Sequence, residues 1–181
     1  MKVLKSSLIG LVALSAIVIS STGFAKKPSE RFTIYDTAQY VEDMSGEFTI
    51  LNLALSLNPA IEAVLDGNGQ FTVFAPTNAA FDKLATIISG DDFCYGSVVE
   101  LAVTQPAYLT DVLLYHVARG RMDSTEVLPK DQIRMLSGDF VTIDQLINPS
   151  IFVATDVPAD NGFIHIISEV LLPYLPPSNC E

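Results

Sequence analysis

The sequence is poor in basic side chains, and this shortage excludes one large class of partners. Its 181 residues include ten lysines and arginines against 21 aspartates and glutamates, which gives a formal net charge of −11 at pH 7. A chain with this balance repels the phosphates of nucleic acids and of anionic lipids. We therefore expect no nucleic-acid partner.

The residues that most often carry catalysis or bind metals are also scarce. Two histidines and two cysteines are present, and they show no CxxC or HxxxH spacing of the kind that zinc sites use. There is no GxSxG motif for a serine nucleophile, no EF-hand loop, and no glycine-rich phosphate cradle. These absences predict no catalytic residues, no metal site and no cofactor, although weak surface binding of divalent cations stays open.

The beginning of the chain has the features of a secretory signal. Lys2 and Lys5 precede an apolar run over residues 8–19, and small residues follow up to Ala25. The run is short for a membrane span, which needs about 20 apolar residues. We predict a signal peptide over residues 1–25, cleaved after Ala25, and hence a secreted or periplasmic protein with no membrane span after cleavage. An uncleaved anchor is the alternative.

The remaining length fits one domain. We predict a flexible lead-in over residues 26–32, a single domain over 33–173 and a proline-rich tail over 174–181. In an oxidising compartment Cys94 and Cys180 are expected to form a disulfide that ties the tail to the loop around residue 94. Two free thiols are the alternative.

Hydrophobic periodicity separates the chain into a helical first half and a β-rich second half. Helical spacing of apolar residues predicts helices over residues 34–44, 48–58, 58–65, 97–103 and 106–117, and one more that is capped by Thr77. Short apolar runs between turn signals predict strands over residues 70–75, 134–136, 140–143, 151–154 and 163–167. This distribution favours an α+β fold, in which Phe74 of the first strand is expected to pack against Phe81.

Three segments resemble the hallmarks of the fasciclin (FAS1) family. Residues 71–81 read FTVFAPTNAAF, residues 115–116 are a Tyr-His pair, and residues 161–173 read NGFIHIISEVLLP. The resemblance covers roughly residues 33–173, with Phe163 where the family commonly has valine. It implies a FAS1-like fold, in which N-terminal helices pack on a mostly antiparallel β-sandwich or wedge.

The same resemblance implies a binding role near the Tyr-His pair, because some animal members use this region for integrin-dependent adhesion. Tyr115 and His116 are therefore candidate binding residues, and Tyr108 is a further aromatic expected just outside the core. The competing hypothesis for His116 is a structural histidine on an apolar helix face. His165, in a strand that is apolar on both faces, is interpreted as a hydrogen-bonded structural histidine.

Basic residues concentrate in one stretch of this acidic chain. Loss of the signal peptide removes two lysines and no acid, so the charge changes from −11 to −13 and eight basic residues remain. Four of those eight lie between residues 119 and 134, with three acids among them: Arg119, Arg121, Lys130 and Arg134 beside Asp123, Glu126 and Asp131. Arg119 and Arg121 are candidate binding residues, and a solvated loop of about neutral charge is the alternative.

Three functional hypotheses follow from these patterns. The first is an exported, non-enzymatic interaction module for cell-surface or matrix adhesion, with a protein or polysaccharide as partner. The second is a periplasmic or extracellular binder of a small apolar ligand or polysaccharide, with a cavity near the apolar residues 147–167. The third is an enzyme that depends on His165, which the missing catalytic constellations disfavour.

Overall fold

The computed structural model describes residues 31–89, 93–143, 150–178 and 180. The predicted signal peptide and most of the predicted lead-in lie outside these residues. The described helices are α1 (Ile34–Ser45), α2 (Thr49–Ser56), α3 (Pro59–Leu65), α4 (Asn78–Ile88), α5 (Val98–Thr104), α6 (Pro106–Tyr115) and α7 (Ser124–Val127). The described strands are β1 (Phe71–Pro76), β2 (Val117–Arg119), β3 (Gln132–Arg134), β4 (Phe140–Thr142), β5 (Phe152–Ala159) and β6 (Gly162–Ile167).

The strands form a four-stranded sheet and a separate hairpin. The sheet has the order β2-β1-β6-β5, in which β1 and β6 are parallel and the two outer pairings are antiparallel. The hairpin consists of the antiparallel pair β3 and β4. The fold is α+β with helices concentrated in the first half and mostly antiparallel strands, as the sequence predicted.

The strand β1 is buried along its whole length because the core covers both of its faces. Val73 and Ala75 belong to a large cluster that includes side chains of α1 to α6. Phe74 points to the opposite face, as alternation in a strand requires, and joins a second cluster with residues of the hairpin. The predicted contact between Phe74 and Phe81 is therefore wrong, since Phe81 lies in the first cluster.

One buried asparagine joins the sheet to two helices. The Oδ1 atom of Asn161 accepts from the backbone amide of Ile34, at the start of α1, over 2.7 Å. Its Nδ2 atom donates to the backbone oxygens of Leu65, at the end of α3, and of Gly67 over 2.7 and 3.0 Å. The Asn-Gly turn before β6 therefore fixes where α1 begins and where α3 ends.

Side-chain caps begin several helices, and one predicted cap is absent. Thr77 accepts from the backbone amide of Ala80 and begins α4, as predicted. Asn58, which was predicted to cap α3, makes no cap hydrogen bond. Its Nδ2 atom instead donates to Oγ1 of Thr110 on α6 over 2.6 Å. A tertiary partner has replaced the local one.

Several element boundaries differ from the predictions because distant partners determine them. The helix predicted to reach residue 117 ends at Tyr115, and the next residues form β2, which pairs with β1. The helix α7 is a single turn, too short to show a hydrophobic period, and was not predicted. The strand predicted over residues 134–136 lies at 132–134, and β5 extends to Ala159 rather than ending at 154.

The C-terminal segment is held against the body of the domain. The predicted disulfide joins Cys94 to Cys180, 86 residues apart in the sequence. The Tyr95 hydroxyl donates to the backbone oxygen of Pro177 over 2.9 Å beside it. Over the ranges that the structure covers, helices with the length and apolar character of a membrane span are absent.

The tight approach of β1 to the start of β6 predicts that Gly162 cannot carry a side chain. A Cβ atom at Gly162 would overlap the backbone oxygen of Phe71, and backbone cannot move aside cheaply. We expect Gly162→Ala to lower the free energy of unfolding by about 3 kcal/mol or more, measured by urea denaturation. The control is Gly96→Ala, whose Cβ would meet the flexible end of the Glu100 side chain and should cost less than about 1 kcal/mol. Equal losses in the two variants would contradict the argument.

Candidate functional site

His116 is a structural residue in its contacts, because both ring nitrogens are hydrogen-bonded inside the core. Nε2 accepts from the backbone amide of Leu171 over 2.9 Å. Since an amide can only donate, Nδ1 carries the proton, and it donates to the backbone oxygen of Val112 over 2.7 Å. Burial lowers the pKa of His116 to about 4, and the Val112 carbonyl opposes that shift. The imidazole is neutral and joins α6 to the segment after β6.

His165, on β6, has the same kind of environment. Its Nδ1 atom accepts from the backbone amide of Asp156 over 3.2 Å, so Nε2 carries the proton and donates to the oxygen of Met122 over 3.1 Å. The ring is fully buried and stacks on Phe74 with centroids 5.6 Å apart. Burial lowers its pKa, while the Met122 carbonyl and the charges of Asp156 and Asp123 act in the opposite direction.

These contacts favour a structural role for both histidines over a role in binding or catalysis. The two imidazoles share no hydrogen-bond partner, and each uses its donor and its acceptor on the backbone. A general base needs a nitrogen that can reach a substrate proton, and neither ring offers one. Within the described ranges, groups of three or more His, Cys, Asp or Glu that could hold a metal ion are absent.

The two tyrosines expected at the surface are buried, so that expectation was wrong. Tyr108 and Tyr115 are each 5% exposed. The Tyr108 hydroxyl donates to the backbone oxygen of Tyr174 over 2.9 Å. The Tyr115 hydroxyl donates to the backbone oxygen of Phe140 over 3.2 Å. His116 is 4% exposed and is likewise no surface contact. The helix α6 is covered by the tail on one side and by the hairpin on the other, which its own periodicity does not indicate.

The predicted basic stretch forms a surface groove next to the β3–β4 hairpin. We call this feature the basic groove; it holds about 1010 Å³ of space including its open side. Its lining contains three cations and no carboxylate: Arg119, Met122, Lys130, Gln132, Ile133, Arg134, Met135, Leu136 and Gly138. The sequence predicted Arg119 and Arg121 as binding residues, and it did not indicate that Lys130 and Arg134 also line a groove.

Two of the three acids of the same stretch, Asp123 and Glu126, are held by a helix cap. Asp123 accepts from the backbone amides of Thr125 and Glu126 and from the Thr125 hydroxyl. Glu126 reaches back to the amide of Asp123, which completes a capping box around α7. A capping box pairs a short polar N-cap side chain with a second polar side chain three residues later, and Asp123 and Glu126 have this spacing. The stretch is about neutral in sequence. The groove lining is nevertheless positively charged, because these two acids are not part of it.

The two predicted arginines differ in position. Arg119 lies in the groove lining, whereas Arg121 is not part of it. The Arg121 guanidinium lies 4.6 Å from the centre of the Phe163 ring, a cation–π contact. One of the four cations of the basic stretch therefore contacts Phe163 and is not part of the groove lining.

An apolar crevice between α2, α4, α5 and α6 is the second concave feature. It contains about 500 Å³ of empty space including its opening, and only apolar surface faces it. Leu53, Leu57 and Val99 are partly exposed at its wall. None of the described residues in the range 147–167 lines this crevice.

Comparison with known proteins agrees with the fold described above. The Fasciclin domain family matches residues 46–173, about 70% of the chain. The chain belongs to the fasciclin domain family. This match lies inside the predicted domain of residues 33–173.

Relatives of this fasciclin domain come from bacteria and animals. It is 33% identical to Protein sll1483 of Synechocystis over 74% of the chain and 72% of that protein. It is 35% identical to immunogenic protein MPB70 of Mycobacterium bovis over 70% of the chain and 64% of that protein. It is 27% identical to transforming growth factor-beta-induced protein ig-h3 of Sus scrofa over 78% of the chain but only 20% of that protein.

The fold also resembles a solved structure. It matches the FAS1 domain pair of the insect cell adhesion molecule fasciclin I with a TM-score of 0.53 and 17% sequence identity. The match covers 72% of this chain and 47% of the insect chain. At this identity the likeness establishes the fold of the fasciclin domain and nothing about its partner.

The buried neutral histidines predict that the fasciclin domain loses stability in mild acid. Unfolded His116 binds a proton near pH 6.5 and the folded residue only near pH 4. The unfolded state therefore binds more protons in this window, and the free energy of unfolding falls as the pH drops through it. Between pH 6.5 and 5 His116 alone should contribute a loss of roughly 2 kcal/mol, and His165 acts in the same direction.

Urea denaturation at pH 7.5 and 5.0 measures this difference, and His116→Asn should reduce it. Ring resonances in NMR spectra provide a second measurement, in which folded His116 should not titrate above pH 5 and the pKa of folded His165 should lie below its ordinary value. A folded-state midpoint near pH 6.5 for both rings would contradict the assignment.

Proposed function

We propose that this fasciclin domain is an exported, non-enzymatic interaction module that adheres to a cell-surface or matrix component through the basic groove. The observation that carries the proposal is the composition of the groove lining, which has three cations and no carboxylate. On a chain with a net charge of −11, such a surface attracts and orients an anionic partner where the surrounding surface repels it.

The non-enzymatic part of the proposal rests on the two histidines. Each is buried and has both ring nitrogens occupied by backbone groups. A ring in this state can neither accept a substrate proton nor bind a metal without loss of a core hydrogen bond. What the described surface offers a partner is charge and shape, which suits binding.

Two further observations support adhesion outside the cytoplasm. The N-terminal residues have the pattern of a secretory signal, and the disulfide between Cys94 and Cys180 suits an oxidising compartment. One solved structure with the same fold is a domain pair from an insect cell adhesion molecule. An exported domain of this fold with a charged groove is well suited to hold one surface to another.

A pair of charge-matched triple variants tests the adhesive role. We expect Arg119→Gln, Lys130→Gln, Arg134→Gln together to reduce adhesion of source-organism cells to the immobilised domain by at least about fivefold. The control replaces three cations outside the groove lining, Arg31, Lys83 and Arg121, by glutamine and has the same net charge. Circular dichroism verifies that both variants are folded. Equal adhesion of wild type and groove variant would contradict the proposal.

A second candidate function is the binding of a small apolar ligand, and the crevice between the helices favours it. Its lining exposes no polar surface, so an aliphatic chain would lose no hydrogen bonds on entry. Val170 and Leu172 of the segment after β6 form part of the wall. A ligand there would lie away from the basic groove, so the two functions are separable.

Displacement of Nile red by dodecanol tests this second candidate. Wild type should bind the dye in the crevice and release it when dodecanol is added. Ala102→Phe should lower dye binding by about tenfold because the ring fills space next to the 8%-exposed Ala102. The control is Val153→Phe, which adds an apolar ring at an exposed position of β5. Equal dye binding by all three folded proteins would exclude the crevice as the site.

A further inference from the structure

We propose that the basic groove, together with the ring of Phe140, binds a segment of an acidic polysaccharide that carries carboxylate or sulfate groups. The inference rests on the proposed function and names the chemical class of its partner. Three independent features of the groove carry it: the availability of its cations, the aromatic ring beside them, and the charge of the rest of the chain.

The groove cations are available to a ligand. Among the described residues, Arg119, Lys130 and Arg134 have no carboxylate within ion-pair distance, whereas Lys83 pairs with Glu169 over 3.2 Å. Arg134 donates from Nε to the backbone oxygen of Gly138 over 3.3 Å, which orients the guanidinium. Its two terminal Nη groups have no partner in the described part of the chain. A guanidinium presented in this way suits two parallel hydrogen bonds to a carboxylate or sulfate.

An exposed aromatic ring lies directly beside one of these cations. Phe140 on β4 is the register partner of Arg134 on β3, so the two side chains share one face of the hairpin at a Cβ separation of about 5 Å. Ile133 and Val141 fill the opposite face and are buried. Phe140 is 54% exposed, although it is among the largest apolar side chains of the protein. An aromatic face attracts the slightly positive C–H hydrogens of a sugar ring.

The combination of ring and cation favours a sugar over other polyanions. An anionic pyranose can place its C–H face on Phe140 and its acid group on Arg134 at the same time. An acidic peptide has no flat apolar face fixed next to each carboxylate. Double-stranded DNA carries one charge per about 1.7 Å of axis, and a lipid surface is a continuous anionic plane. Both would be repelled by a protein whose net charge is −11 even with the groove cations included.

Direct binding to polymers of known composition tests the proposal. Isothermal titration of the purified domain uses polygalacturonate and dextran sulfate as acidic polysaccharides, neutral dextran as the uncharged match, and poly-glutamate, duplex DNA and phosphatidylglycerol vesicles as other anions. We expect binding to at least one acidic polysaccharide and none to neutral dextran. Affinity should fall at least about tenfold between 50 and 500 mM NaCl. Equal or tighter binding to any of the other anions would overturn the choice of a polysaccharide.

Matched variants locate the site. Arg134→Gln should weaken binding by about tenfold, whereas Arg121→Gln, which removes the same charge outside the groove lining, should change it less than about twofold. Phe140→Leu should weaken binding several-fold compared with the wild type. Phe140→Tyr should bind as tightly as the wild type because the aromatic ring is retained. If Arg121→Gln and Arg134→Gln are equivalent, the attraction is diffuse and the groove is not a site. If Phe140→Leu binds as wild type, the sugar-stacking role fails.

The adhesion assay separates this inference from the proposed function. If the groove triple variant loses adhesion but no acidic polysaccharide binds, the module is adhesive and its partner belongs to another class, which overturns the inference alone. If the wild-type domain binds neither cells nor polymers, both fail. Loss of both activities in the groove variant, with both retained in the charge-matched control, supports the two together.

Discussion

Six residue pairs join β1 to β6 in parallel register, from Phe71 opposite Gly162 to Pro76 opposite Ile167. Parallel neighbours cannot be joined by a tight turn, so everything from α4 to β5 lies in the connection between them. The pair is buried on both faces and divides the core into a helical side and a hairpin side. The Asn161–Gly162 turn at its start also fixes the ends of two helices. The fold therefore depends on this one long-range pairing.

The two histidines show how a polar group becomes part of such a core. His165 extends from β6 into the hairpin side and binds backbone atoms from two other segments, while His116 connects α6 to the chain after β6. Each ring satisfies a backbone donor and a backbone acceptor that would otherwise be buried without a partner, which costs more than the hydrogen bond itself contributes. The hydrogen-bonding groups of both imidazoles are therefore occupied within the fold, and a partner would have to bind other residues at the surface.

The surface charge is organised by local structure rather than by composition. A stretch that is about neutral in sequence is divided by the capping box of α7, which holds Asp123 and Glu126, and by the stacking of Arg121 on Phe163. The groove lining contains three cations and no carboxylate, and an exposed ring lies beside it on the neighbouring strand.

The sequence by itself determined the features that depend on neighbours along the chain. The apolar runs of β1 and β6, the Thr77 cap and the single possible pairing of two cysteines were all predictable, because period, cap chemistry and cysteine count are local or combinatorial. Only the tertiary structure decided that residues 117–119 leave a helix pattern to pair with β1, and that Tyr108 and Tyr115 are covered. Whether a side chain is buried depends on which distant segment packs against it. The pattern of neighbouring residues in the sequence does not contain that contact.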